Sequence, residues 1–272
     1  MSPDSKSETI DRDYDEVGEG ARDDTSRMSF LEHLDELRKR IIYALYAVGA
    51  ACAVTFWFNG QMYDYLTAYF NRYGGTLIYT QPMGGFMFSL KIAVLSGLII
   101  AAPFVFSQIW LFIAPGLYAK ERRVVVPFVF FSSLLFFTGA WFAHAVGYPT
   151  MWQFFASFQG ESIQFFPDLS VTFGFYFKIV LGMGLVFQMP VLVFFLARFG
   201  IVTARFMLKK FKYAVLLIFV LAAIITPSGD AVSLAVFAAP MLILYLFSIG
   251  VAWLFGKKRG TEGRGQSAEG RG

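Results

Sequence analysis

Residues 86–113 read FMFSLKIAVLSGLIIAAPFVFSQIWLFI, a long apolar run whose one charge is Lys91. Wound as an α-helix it is about 42 Å long at 1.5 Å per residue, more than the roughly 30 Å hydrocarbon core of a bilayer. The run therefore reads as a membrane span. Comparable runs lie on either side, at about 41–58, 124–146, 171–197, 213–226 and 231–255. Composition agrees: 57% of the 272 residues are hydrophobic, 33 of them are Phe, and 15% are charged, where a soluble domain carries about 25%. The expected class is an all-α membrane protein with six transmembrane helices. The fifth run is short, about 21 Å as a helix, so either Lys212 and its neighbours snorkel or the bilayer thins around it.

The +4 net charge flanks the apolar runs and forms no basic stripe on a soluble face, which argues against a nucleic-acid partner. Segments 27–40, 114–123, 198–212 and 256–272 hold 17 Lys and Arg, whereas 59–85, 147–170 and 227–230 hold only Arg72. This asymmetry predicts that the basic segments and both termini face the cytoplasm of a bacterial inner membrane. Residues 1–27 are expected to form a disordered acidic tail and do not resemble a secretory signal. The membrane domain is expected over 28–256, and 257–272 as a flexible, basic, Gly-rich tail. Cys52 is the single cysteine, so no intrachain disulfide is available, and it reads as a packing residue. Pro103, Pro127, Pro190 and Pro240 interrupt apolar runs and are each expected to bend a helix, giving a curved, concave wall.

Three stretches carry chemistry. In SFLEHLDELRKR (29–40), Ser29 and Glu32 have capping-box spacing, Leu31, Leu34 and Leu37 share an apolar face, and Glu36 can pair with Arg40 and Asp35 with Lys39. The segment is either an amphipathic lead-in with a solvated charged face or one whose Glu36 stays available to an incoming cation. In QIWLFIAPGLYAKERR (108–123), a helix end gives way to a Pro115-Gly116 turn and a basic loop with one acid, Glu121. That acid either pairs with Arg122 or Arg123, sits in water, or binds a ligand. In TPSGD (226–230), a tight turn precedes Asp230, placed to cap the sixth helix.

HLDELRKR at 33–40, QIWLFIAPGLYAKERR at 108–123, FQMP at 187–190 and TPSGD at 226–230 together resemble the TatC family, the receptor subunit of the twin-arginine protein translocase. The resemblance covers roughly residues 28–256. It implies a core component that binds twin-arginine signal peptides at its cytoplasmic face. It also implies export of folded cargo driven by the proton gradient, with single-span TatA- and TatB-type partners, inside a hetero-oligomer that holds more than one copy of this chain. The family's signal-binding carboxylates map onto Glu36 and Glu121, its neighbouring basic residue onto Arg38, and a loop-motif aromatic onto Phe112. Partner-helix docking or intramembrane polar roles map onto Gln188, Thr226 and Asp230. The chain departs from the pattern where many relatives carry Glu and it has Gln188, where a loop proline gives way near Tyr69, and where polar residues give way to Leu234 and Leu246.

Lys91 and Lys178 lie within apolar runs near their outer ends, where they either snorkel or pair on the concave face. His144 sits near an outer boundary with no HxxxH spacing around it, and no metal or other cofactor is expected. Two other classes fit the sequence less well. A small-solute transporter lined by Lys91, Lys178 and Gln188 lacks a visible inverted repeat. An intramembrane hydrolase lacks a nucleophile elbow beside His144, and no phosphate loop is present. The expectation is therefore a binding and translocation component, not an enzyme.

Overall fold

The computed structural model describes residues 7–74, 77–113, 125–160, 166–226 and 230–256, with side chains from Leu31 onward except Val125. The side chains of the acidic head, the 114–124 loop, the 227–229 turn and the tail from 257 lie outside the described residues.

Helix α1 (Ser7–Trp57) starts upstream of the Ser29–Glu32 spacing, there being no proline after Pro3 to stop it. It is followed by α2 (Asn59–Gly74), α3 (Gly84–Ile113) and α4 (Val125–Phe142), then a π turn (Ala143–Gly147) and α5 (Tyr148–Ala156). Then come α6 (Leu169–Val186), α7 (Met189–Arg198), α8 (Ala204–Lys209), α9 (Phe211–Ile225) and α10 (Ala231–Phe255). Among the described residues, five segments are long and apolar enough to cross a bilayer: Leu31–Trp57, Gly84–Ile113, Val126–Ala156, Leu169–Arg198 and Ala231–Phe255. Phe211–Ile225 is a shorter sixth.

The prolines act differently from one another. Pro103 and Pro240 lie inside α3 and α10. Each deprives the carbonyl four residues earlier, at Ile99 and Val236, of its amide partner. Pro127 does not interrupt a helix as expected: it is the third residue of α4, where the backbone N–H has no intrahelical acceptor to lose. Pro190 lies in the first turn of α7, after the break at Phe187-Gln188 that divides the fourth span. Pro149 follows the π turn, whose closing bond runs from the Tyr148 N–H to the Ala143 carbonyl. The missing amide at 149 lets the third span swell by one residue per turn before continuing as α5.

α1 is an outer rib. Its apolar window is only 6% buried, against 44% for α3 and 50% for α6–α7, and α3 is its main neighbour. The seam is made of small residues: Thr55 Oγ1 donates to the Ala93 carbonyl at 2.8 Å, and Cys52 lies on Gly97. The order of packing then runs through α4 and α6 to α7, α10 and α9. Glycines set the α4–α6 crossing as well. A Cβ on Gly139 would come within 2.6 Å of the Met183 carbonyl oxygen, and one on Gly184 within 2.7 Å of the Phe136 ring.

The two ends of this wall differ. At one, Phe70, Phe88, Tyr148, Trp152 and Phe173 form a fully buried aromatic core beneath α2. There the α2–α3 and α5–α6 connections are clasped. Ile78 and Asp168 form a parallel bridge, with Ile78 N–H to the Pro167 carbonyl at 3.1 Å and Leu169 N–H to the Ile78 carbonyl at 3.0 Å. The Asp168 carboxylate accepts from the Val171 N–H at 2.9 Å, capping α6, and from both the N–H and hydroxyl of Thr80. Burial works against ionisation of Asp168, but these hydrogen bonds outweigh it and hold the carboxyl below its ordinary 3.8. The other end gathers the 31–43 part of α1, the end of α3, α7, α8 and the end of α10.

Candidate functional site

On α1 the spacing of 32, 36, 39 and 43 puts four side chains on one helical face. Glu32, Asp35, Glu36, Lys39, Arg40 and Tyr43 line a cleft of about 430 Å³ there. Three carboxylates face two cations, so the cleft is acidic. Arg40 organises it: Nη2 donates to Glu36 Oε1 at 3.2 Å and Nη1 to Gln108 Oε1 of α3 at 3.4 Å. Gln108 in turn donates to the Ser107 hydroxyl at 3.4 Å. The ion pair is a single i,i+4 contact whose partners are each about 30% exposed (28% and 31%). Such a pair contributes about 0.3–0.5 kcal/mol.

A second latch joins the same helices. The rings of His33 and Phe112 stack with centroids 4.5 Å apart at 19°. His33 precedes Glu36 by three residues, so Phe112 lies one helical turn from the carboxylate. Below the latch, Trp110 is buried against Phe195 of α7, with centroids at 4.2 Å, and its Nε1 donates to Ser132 Oγ at 3.1 Å. Gln188 Nε2 donates to the Ser132 carbonyl at 3.0 Å. One residue of α4 thus ties α3 to the break between α6 and α7.

The structure brings Glu36 and Phe112 together and adds Arg40, Gln108, Glu32 and Asp35. It does not bring Arg38 into the cleft, since two residues from Glu36 is about 200° around the helix, and Arg38 is exposed. Glu121 lies outside the described residues. Thr226 is buried, with its hydroxyl donating to the Ala222 carbonyl of its own helix. Asp230 caps α10 by accepting from the Ser233 N–H at 2.8 Å. Lys91 Nζ reaches the Ser170 carbonyl and hydroxyl, each at 3.3 Å, while Lys178 is exposed. Leu234 packs on the core and Leu246 is exposed.

His144 lies in the π turn. Its Nδ1 is 2.9 Å from the Tyr176 hydroxyl and its Nε2 3.3 Å from that of Tyr65, and Tyr69 stacks on the ring at 4.2 Å and donates to its carbonyl. On α2, burial and the Tyr79 hydrogen bond push the Tyr63 phenol up to about 12. No group of three or more metal-ligating side chains occurs among the described residues.

A polytopic helical membrane protein with an acidic cleft at its basic-flanked end is the class that fold and site define. The Sec-independent protein translocase protein (TatC) family model matches residues 32–240. The TatC protein of Koribacter versatilis (strain Ellin345) is 46% identical over 235 residues, covering 84% of this chain and 86% of that one. Helicobacter pylori (strain J99) TatC is 39% identical over 220 residues, covering 81% and 87%. Two crystal structures described as the twin-arginine translocase receptor TatC superpose with TM-scores of 0.71 and 0.73, at 31% and 30% identity. Each covers 81% of this chain, and this chain covers 97% and 99% of them. The chain belongs to the TatC family. It is therefore a component of a protein translocase and a multi-span membrane protein, not a catalyst.

Proposed function

We propose that this chain receives twin-arginine signal peptides on the cytoplasmic face of the bacterial inner membrane, with Glu36 and Glu121 each taking one arginine. The observation that supports this is the weak, single-contact hold of Arg40 on Glu36. An incoming guanidinium presents two parallel N–H groups to a carboxylate. Hydrogen bonds to charged groups contribute about 1.5–3 kcal/mol each, several times the intrahelical pair they displace. Lysine carries the charge without the fork, so arginine is preferred. Glu32 and Asp35 add negative potential around the approach.

The His33–Phe112 stack sets the height of α1 against the end of α3, and with it the position of Glu36. Arg38, outside the cleft, acts at the headgroup surface. Gln188, Thr226 and Asp230 support the bundle from which TatA- and TatB-type helices work, in a complex with more than one copy of this chain. Lys91 and Lys178 are structural charges near the outer face. Both termini lie in the cytoplasm, by the distribution of Lys and Arg. Transport energy comes from the proton gradient.

The test is photocrosslinking from probes beside 36 and 121 to a twin-arginine peptide, with a twin-lysine peptide as control. Glu36→Gln and Glu121→Gln should each cut the arginine-specific yield at unchanged protein level. Wild-type export of a folded reporter by both variants would refute the site.

A further inference from the structure

The connection between α7 and α9 has a composition that signal recognition does not use. From Arg198 to Gly229 there is no Asp or Glu, while Arg205, Lys209, Lys210 and Lys212 are all exposed. Large apolar side chains are interleaved with them and also exposed: Ile201 (68%), Phe206 (53%) and Leu208 (57%). The segment is nonetheless built. Thr203 Oγ1 accepts from the Phe206 N–H at 3.2 Å, capping α8, and Tyr245 of α10 donates its hydroxyl to the Met207 carbonyl at 2.9 Å. Met207 is buried, so one side of α8 is fixed to the bundle while its cations and Phe206 point away. The ammonium groups of Lys210 and Lys212 lie 5.2 and 5.0 Å from the same Tyr213 ring centroid. Two like charges gathered over one exposed ring call for an anion beside them.

We propose that α8 and the first turn of α9 form a binding site for anionic phospholipid, with phosphate held by Arg205, Lys209, Lys210 and Lys212 and acyl chains lying against Phe206 and Leu208. The interleaved apolar side chains decide between candidate anions. A hydrophilic acidic peptide, such as the chain's own residues 1–26, satisfies the cations and leaves Ile201, Phe206 and Leu208 in water, whereas a lipid satisfies both. The site also answers a geometric need. α9 has 15 residues, about 22 Å of helix, roughly 8 Å less than a hydrocarbon core. Headgroups drawn onto the foot of α9 bring the bilayer surface down to the helix. The proposal goes beyond the receptor function and is independent of Glu36 and Glu121.

The experiment uses the purified full chain in a non-ionic detergent, with phosphatidylglycerol or phosphatidylcholine of matched chains added. The thermal midpoint and the lipid retained after washing are read for each. Wild type should show a phosphatidylglycerol-specific rise and retention. Arg205→Gln with Lys209→Gln, Lys210→Gln and Lys212→Gln should lose them, at about fivefold in retention per cation removed. A four-charge change in the tail, Lys257→Gln with Lys258→Gln, Arg259→Gln and Arg264→Gln, should keep them. If the fourfold foot variant fails to fold, Lys210→Gln and Lys212→Gln are read singly. Equal response to the two lipids, or a phosphatidylglycerol response that survives the foot variant or disappears with the tail variant, overturns the proposal. So does a response that appears only after residues 1–26 are deleted, which would make the acidic head the resident anion.

Discussion

Gly97→Ala is the most exacting test of how Glu36 is positioned. A Cβ at 97 would lie 2.5 Å from Cys52 Sγ and 2.8 Å from both the Cα and N of Cys52. Carbon atoms pack at about 3.5–4.0 Å, so the α1 backbone must retreat by about 1 Å. Arg40 lies twelve residues back along α1 from Cys52, about 18 Å away, and the proline-free helix between them carries the displacement. Added to the 3.4 Å Arg40–Gln108 contact, it gives about 4.4 Å, beyond hydrogen-bond range. Overpacking of this kind costs about 1–3 kcal/mol, and the loss of a hydrogen bond to a charged group at the cleft adds about 1.5 kcal/mol, or about tenfold in affinity. Denaturation of the purified protein should show the first effect and titration with a labelled twin-arginine peptide the second. Cys52→Ala removes only the sulfur contact, so the double variant should remain impaired. Full recovery in the double variant, or wild-type stability and affinity in Gly97→Ala alone, would refute the reasoning.

Gly184→Ala makes a useful contrast, because there the obstructing group is the Phe136 ring. Its loss of about 1–3 kcal/mol should be largely restored by Phe136→Leu, read by the same denaturation. Gln188→Leu removes the bond to the Ser132 carbonyl and should cost about 0.6 kcal/mol, with about 1.7 as the ceiling. A larger loss would mean that Gln188 has a further partner. Asp168 has a folded-state pKa below its unfolded value, so the stability it contributes is complete above the unfolded value and lost as pH falls through the lowered one. The hydrogen-exchange protection over 77–83, with the intrinsic pH dependence of exchange divided out, should be high and flat from pH 8 to 5 and fall below about 3.8. In Asp168→Ala protection should be low throughout, after loss of a cap that contributes about 0.5–2 kcal/mol.

The spans were legible because hydropathy accumulates residue by residue and needs no knowledge of neighbours. α2 was not, since its buried Leu66 and Phe70 are separated by Thr67, Ala68 and Tyr69, and no apolar run forms. The i,i+4 spacing from Met62 through Leu66 to Phe70 was the available signal. The π turn was signalled only by Pro149, at the edge of an apolar run. At the cleft, the Glu36–Arg40 pair follows from helical periodicity alone, and the same periodicity places Arg38 on the opposite face. Gln108 could not be found in this way, because its contact with Arg40 joins residues 68 positions apart and depends on how closely α1 and α3 approach. That approach rests on Gly97, whose importance lies in an absent side chain.

The Ile78–Asp168 clasp also bears on the order in which the chain is assembled. Its two halves are ninety residues apart, and the second leaves the ribosome only after three spans have been made. Until then the Thr80 N–H and hydroxyl have no carboxylate, and the lid over the aromatic core stays open on one side. A nascent chain stalled before residue 168 therefore holds half of the clasp and lacks Phe173, so the aromatic core beneath α2 closes only when the fourth span arrives.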